Sequence, residues 1–169
     1  MNKKDRELYD IREGDIIKKK DSYTETCYFM RNQHLNGLGR LFGGTLMAWI
    51  DEIAGVVARR HCNNLVITAC IDNLNFKEGA RLQDLIVLTG RITYVGGTSM
   101  EVRVDTYVES LDGTRKTINT AYVVLVAIDE NDNPCRVPRF IPQDVRAKVE
   151  WENGRRRYEL RKQRQKEGY

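Results

Sequence analysis

The chain has 169 residues, 41% hydrophobic and 31% charged, with a formal net charge of +4. That length and balance describe one soluble globular domain large enough for a core of its own. The charged N-terminus (MNKKDRELYDIREGD) has no apolar secretory segment, and Cys27, Cys62, Cys70 and Cys135 form no CxxC pair and, with His34 and His61, no zinc motif; reduced thiols in a cytoplasmic protein are expected.

Residues 1–21 are polar, with Lys18-Lys19-Lys20 ahead of the first patterned segment, and read as a mobile arm or a short packed lead-in. Ser22 to Arg31, rich in Thr, Tyr, Cys and Phe, predicts a strand. Asn32 to Leu41 carries Asn and Gly and predicts a loop. Gly43 to Cys62 predicts a helix, because Leu46, Ile50, Ile53 and Val57 recur on one face and Met47, Ala54 and Ala58 widen it. Such a helix is about 30 Å long. Arg59, Arg60 and His61 suit its C-terminal dipole, and Asn63-Asn64 supplies a stop. The apolar run from Leu41 to Ala58 raises the question of a membrane span. Asp51 and Glu52 near its centre would each cost about 2.5–3.5 kcal/mol in a bilayer, which argues against one.

Four strand-like segments follow, Val66 to Phe76, Asp84 to Val95, Ser99 to Ser110 and Thr114 to Asp129. They are separated by Lys77-Glu78-Gly79, Gly96-Gly97 and Asp112-Gly113, the last two short enough for hairpins. Strand, loop, long helix and four strands in an antiparallel meander make an α+β layout, with a sheet of about five strands curled around one helix. No Gly-x-Gly-x-x-Gly links a strand to a helix, which argues against a dinucleotide fold. A homodimer at least is expected, through edge or face pairing of sheets. Residues 143–169 form a basic tail, helical or mobile. Its charge could attract nucleic acid, a membrane surface or a phosphorylated small molecule. With few aromatics and no nucleic-acid motif, a solvated helix or frayed end is the favoured reading.

Two carboxylates inside a helix that otherwise looks buried are expensive, and a chain that carries that cost usually obtains chemistry from it. Asp51, with Met47, Ala54 and Gly55 as helical neighbours, could hold a water as general base or attack as nucleophile. Glu52, rotated about 100° away, is expected to pair with Arg59 or point outward. The Gly43-Gly44 step at the helix start suits an oxyanion, since the first N–H groups lack partners and glycine lets an oxygen approach; tight helix–sheet packing is the alternative reason for these glycines. Asn36 could orient a water or bind a carbonyl, His34 could act as a base, and the Thr68 hydroxyl could reach substrate.

The combination Asn36, Gly39, Phe42, Gly43 and Gly44 followed by Asp51 resembles the hotdog-fold acyl-CoA thioesterases, in particular the acyl-CoA hydrolase branch with YciA-like and YkhA-like members. Val66-Ile67-Thr68, the Asp72 to Phe76 stretch, Val95 to Met100 and Val137-Pro138 extend the resemblance over about residues 22–142, the expected hydrolase domain. It implies a sheet wrapped around the helix, dimers with active sites at the subunit interface, often arranged as trimers of dimers, and hydrolysis of fatty acyl-CoA to free acid and CoA. By motif position Asp51 would be the catalytic carboxylate, with Asn36 from the partner subunit, Thr68 nearby and the Gly43 and Gly44 amides on the thioester oxygen. Gly96, Gly97, Thr98 and Ser99, with Arg60 and Lys77, would lie near the CoA moiety. No metal or further cofactor is implied. The chain departs from the family where Gly-Arg-Thr-Ser is replaced by Gly96-Gly97-Thr98-Ser99, and where a Lys-Pro pair becomes Lys77-Glu78.

Two other readings share the fold. A non-catalytic acyl-CoA sensor would need an output module, for which the residues before the first strand leave little room, and would not need an acid at Asp51. A hotdog dehydratase would start its helix with Pro-Gly, which is absent here.

Overall fold

The computed structural model describes residues 3–18 and 22–168; Lys19 and Lys20 of the predicted lead-in lie outside the described residues, as do Met1, Asn2, Asp21 and Tyr169. The elements run α1 (Lys3–Leu8), β1 (Ile17–Lys18), β2 (Thr24–Phe29), a short 3-10 turn (Asn32–His34), α2 (Gly43–Cys62), β3 (Leu65–Phe76), β4 (Leu85–Val95), β5 (Ser99–Glu109), β6 (Arg115–Ile128), β7 (Arg139–Phe140) and α3 (Val145–Glu167). Helix α2 ends at Asn63, whose left-handed backbone (φ 57°) lets its N–H reach Arg59 O at 2.8 Å.

Five strands form one antiparallel sheet in the order β2-β4-β5-β6-β3. This corrects the meander expected from the sequence. Strands β4, β5 and β6 do follow one another, but β3 pairs with β6, Leu65 opposite Ile128, and so forms the far edge. The 77–84 connection is therefore a crossing from one edge to the strand beside the other, and only the last two separators are hairpins.

The sheet bends because several strands carry extra residues, between Thr68 and Cys70 and between Asp72 and Asn75 on β3, and between Ile92 and Tyr94 on β4. Its inner face packs against α2. Leu46, Ile50, Ile53, Ala54 and Val57 of the helix meet Ile86, Leu88, Met100, Val102, Val104, Ala121, Val123 and Leu125 in one buried cluster. At Gly90 an added Cβ would stand 2.9 Å from Val57, so the missing side chain lets the helix seat closely.

The outer face carries alternate residues of the same strands and is polar. Glu101, 1% exposed, is held by Arg157 and Arg161 of α3, each at 2.8 Å. Arg161 and Arg164 also reach Asp72, at 3.3 and 3.4 Å. The basic tail is thus a docked helix rather than a frayed end. Its N-terminus is capped by the Asp144 carboxylate, which accepts from Ala147 N–H at 2.7 Å. The N-terminal segment is a packed lead-in. Ile17–Lys18 pairs in parallel with Arg139–Phe140, Tyr9 sets its ring edge against Trp151, and Arg136 holds Asp15 at 2.7 Å, which keeps that carboxyl down at about 2.

Among the described residues, no helix is long and apolar enough to cross a membrane. The four cysteines are free thiols.

Candidate active site

The loop between β2 and α2 is held by its own backbone and by one amide side chain. Asn36 Oδ1 accepts from Leu38 N–H at 2.9 Å and from Arg40 N–H at 3.2 Å, and Asn36 N–H donates to Arg40 O at 2.8 Å. Gly39 supplies the positive φ (68°) that the turn needs. With its oxygen so occupied, Asn36 offers the outside a donor, its NH2 group. Leu38, at the tip of the turn, is 84% exposed.

His34 belongs to the support of this loop. Its Nδ1 accepts from Arg31 N–H at 3.2 Å, its ring stands edge-on to Trp49, and its carbonyl accepts from Phe42 N–H at 2.8 Å. Trp49 in turn stacks on Tyr28 with ring centroids 4.3 Å apart. The imidazole nitrogen that a base would use is engaged by the backbone.

At the start of α2, Leu46 N–H is the first to find a carbonyl, that of Phe42 at 3.1 Å; among the described residues the N–H groups of Gly43, Gly44 and Thr45 have no backbone acceptor. The space vacated by the two glycine side chains is used by rings. A Cβ on Gly44 would stand 2.5 Å from Phe42, and one on Gly43 would stand 3.4 Å from Phe76. A side chain at Gly44 would displace the exposed Phe42 ring, whereas one at Gly43 would meet Phe76 at ordinary contact distance.

Two turns along, Asp51 Oδ1 accepts from the Thr68 hydroxyl at 2.6 Å. The bulge after Thr68 sits where β3 passes the helix, and the pair joins the helix to the edge strand. Both acids of the helix are exposed: Glu52 points outward, one of its two expected settings, while Asp51 departs from the buried setting expected from the apolar run. The cause is phase: Asp51 and Glu52 lie off the apolar face of α2 and reach the two edge strands of the sheet, β3 and β2. Glu52 accepts from Tyr28 OH at 3.1 Å instead of pairing with Arg59. Burial, with that hydrogen bond second, raises the Tyr28 hydroxyl above its ordinary value.

The remaining candidates are divided between the ends of the sheet. Lys77 follows Phe76 and so lies beside the helix start, its N–H on Ile118 O at 2.9 Å. Arg60, in the last turn of α2, donates to Thr24 Oγ1 at 2.8 Å. The Gly96–Ser99 turn lies at that same far end, since Ser99 stands opposite Val126 and Leu65 opposite Ile128. Tyr28 and Arg139, whose contacts tie down the site helix and this turn, had no sequence signal beyond strand alternation and a closing Val-Pro motif. Among the described residues, no group of three or more His, Cys, Asp or Glu side chains could hold a metal.

Residues 38–113 match the model of the thioesterase superfamily. The acyl-CoA thioester hydrolase YkhA of Bacillus subtilis, itself called uncharacterized, is 39% identical over 109 residues, 64% of this chain and 63% of its own length. The chain thus spans less than two thirds of YkhA, and 32% of the rat cytosolic acyl coenzyme A thioester hydrolase. Among solved structures, an apo-hexameric acyl-CoA thioesterase superposes with a TM-score of 0.83 at 36% identity, covering 88% of this chain and 97% of that one. The acyl-CoA hydrolase of Staphylococcus aureus, solved with butyryl coenzyme A, coenzyme A and coenzyme A disulfide, gives 0.84 at 31% identity over 89% of this chain and 93% of its own. Further structures of that enzyme carry alanine in place of one asparagine, one aspartate or one threonine.

Proposed function

Because the chain belongs to the thioesterase superfamily and has its hotdog fold, we propose that it hydrolyses acyl-CoA thioesters to a free carboxylic acid and CoA. The observation that carries the reading is the Thr68–Asp51 hydrogen bond on the exposed side of α2. The asparagine, aspartate and threonine replaced in the Staphylococcus aureus hydrolase follow one another at the same spacings as Asn36, Asp51 and Thr68.

Thr68 occupies one carboxylate oxygen and orients the other, which takes a proton from water as the water oxygen adds to the thioester carbon. In the alternative course the carboxylate itself adds, and water then cleaves the resulting anhydride. Either way the carbonyl oxygen becomes an oxyanion, the C–S bond breaks, and the CoA sulfur leaves and takes up a proton. The oxyanion needs donors about 3 Å away. Those available are the Gly43 and Gly44 amides and the Asn36 NH2 group.

Asp51 lies seven residues beyond Gly44, about 10 Å along the helix axis. One carbonyl cannot touch both, so the donors facing Asp51 come from a second copy of the chain. Phe42, Met47, Val56, Leu65, Ile67 and Phe76, each 40–55% exposed on α2 and the β3 edge, are the apolar surface such a copy would cover. A homodimer at least, and a trimer of dimers by analogy with the hexameric relative, completes the site.

Asp51→Asn is expected to lower kcat by about 10²–10⁴ while CoA still binds, measured by thiol release and by calorimetry. Asn36→Ala and Asp51→Ala proteins, unfolded together and refolded as mixed dimers, should regain activity at the one site that keeps both side chains. No recovery would place the whole site in one chain. Binding of acyl-CoA without hydrolysis by the natural protein would favour a sensor.

A further inference from the structure

Helix α3 has two unlike faces. At about 100° per residue, Trp151, Gly154, Tyr158 and Arg161 share the side that meets the sheet, and Trp151 and Gly154 are buried there. Val145, Val149, Arg156 and Leu160 share the opposite side, where the three aliphatic side chains are 79%, 57% and 49% exposed. Arg146 borders that stripe on one side, and Lys148 and Lys166 on the other; all three are exposed.

The inward charges of α3 are neutralised in place, Arg157 and Arg161 by Glu101 and Glu150 by Arg103. The outward acids are engaged as well. Arg155 holds Glu152 and Glu159, at 2.6 and 2.8 Å, and the Gln163 amide donates to Glu167 at 2.8 Å. Among the described residues, the side chains of Arg146, Lys148, Arg156 and Lys166 have no hydrogen-bond or ion-pair partner. The helix carries nine Lys and Arg against four Glu, while the whole chain has a net charge of +4. The positive excess of the protein therefore lies on this face. Helix α1 extends it, because the edge of Tyr9 on Trp151, at 4.9 Å, sets α1 beside the first turns of α3. It adds exposed Lys3, Lys4 and Arg6, offset in part by Asp5 and Glu7, and Leu8 at 47% exposure.

Such a face is complementary to an anionic lipid bilayer. Each cation near the lipid phosphates strengthens binding about fivefold, and aliphatic side chains set between cations enter the headgroup layer. A nucleic acid would use the cations but leave the aliphatic stripe in water. The rings that could stack on its bases, Trp151 and Tyr158, are turned inward against Tyr94. The ionic network already holds α3 as a helix, so docking requires no coupled folding. We propose that the outward face of α3 docks the protein on an anionic membrane surface, with Arg146, Lys148, Arg156 and Lys166 against lipid phosphates and Val145, Val149 and Leu160 in the headgroup layer. The face lies on the outer side of the sheet, so docking leaves α2 and the β3 edge free.

The test is co-sedimentation of the full chain with phosphatidylcholine vesicles, with and without about 30% phosphatidylglycerol. The natural protein should bind the anionic vesicles, leave the neutral ones, and be released by about 0.5 M salt. Lys148→Gln, Arg156→Gln and Lys166→Gln together should weaken binding about a hundredfold, and Val149→Asp alone should weaken it too. Both variants should keep the natural sedimentation coefficient, far-UV circular dichroism and rate of acyl-CoA hydrolysis without vesicles. Equal binding to neutral and anionic vesicles, or none to either, overturns the proposal, as does an unchanged affinity in the triple variant. Tighter binding to a single-stranded or duplex oligonucleotide than to the vesicles assigns the face to nucleic acid instead, and a smaller oligomer in either variant assigns it to a contact between copies; each of these also overturns the proposal. Vesicle binding needs no turnover, so this inference and the hydrolase reading stand or fall separately.

Discussion

The two faces of one sheet are covered by two helices held in opposite ways. On the inner face, α2 is seated by aliphatic side chains, with Ile50, Ala54 and Val57 at 0% exposure. On the outer face, α3 is held by a chain of charges: Glu101 between Arg157 and Arg161, Arg103 between Asp105 and Glu150, and the Arg157 guanidinium 3.7 Å over the Tyr122 ring. Apolar burial is strong and non-directional, so it holds α2 firmly without dictating its register. The ionic network loses much of its attraction to desolvation, but leaving one of its buried charges without a partner is costly. The inner helix carries the proposed chemistry, while the outer one fixes strands β3 to β5 from behind.

The largest effect expected from breaking this contrast is at Glu101. Glu101→Ala leaves two guanidinium groups facing an empty pocket, and should cost about 3–5 kcal/mol. Urea denaturation gives the loss, and hydrogen exchange should show the α3 amides opening first. A loss below about 1 kcal/mol would mean that Trp151 and Tyr158 hold the helix by themselves.

The inner side has its own titratable group. His61, at 0% exposure in the last turn of α2, donates from Nε2 to Pro138 O at 2.9 Å, and burial holds its pKa down at about 4. The unfolded chain takes up this proton near pH 6.5 and the folded one only near 4. Stability is therefore complete above pH 6.5 and falls by about 3 kcal/mol on acidification toward pH 4. His61→Gln, measured by thermal melts across that window, should lose this part of the slope. An unchanged slope would assign it to the outer carboxylates.

A smaller effect tests how closely the outer helix is seated. A Cβ on Gly154 would stand 2.6 Å from Tyr94 Cβ and 3.0 Å from Glu101 Oε1. Gly154→Ala should cost about 1–3 kcal/mol by overpacking, seen as a lower Tm, with the tilt of α3 changed and that of α2 kept. A stable, unaltered protein would show that α3 already rides loosely.

The same contrast governs what could be read from the sequence. Helix α2 was legible residue by residue, from Gly43 to Cys62, because apolar periodicity is the signal that burial against a sheet leaves. The strands of the large sheet were legible to within a few residues for the same reason. Helix α3 was readable as a basic tail, helical or mobile, but not as a docked element, since its partners on the sheet, Asp72, Glu101 and Arg103, are dispersed along the strands and charge pairing has no period. The order of strands was misjudged at β3, where a short connection looked like any other turn. At the candidate site, the motif located Asn36, Asp51 and Thr68. It did not show that the Asn36 oxygen is tied down or that Asp51 lies on the outward side, since both depend on tertiary phase.

The position of β3 bears on how the protein is made. Strand β3 leaves the ribosome early, yet its partner β6 ends only at Ile128. At about 5–20 residues per second, Thr68 waits several seconds on an unpaired strand before the hydroxyl and the Asp51 carboxylate can be locked together. During that interval the nascent chain displays a sticky ribbon, the segment from Leu65 to Phe76, with only α2 to shield it.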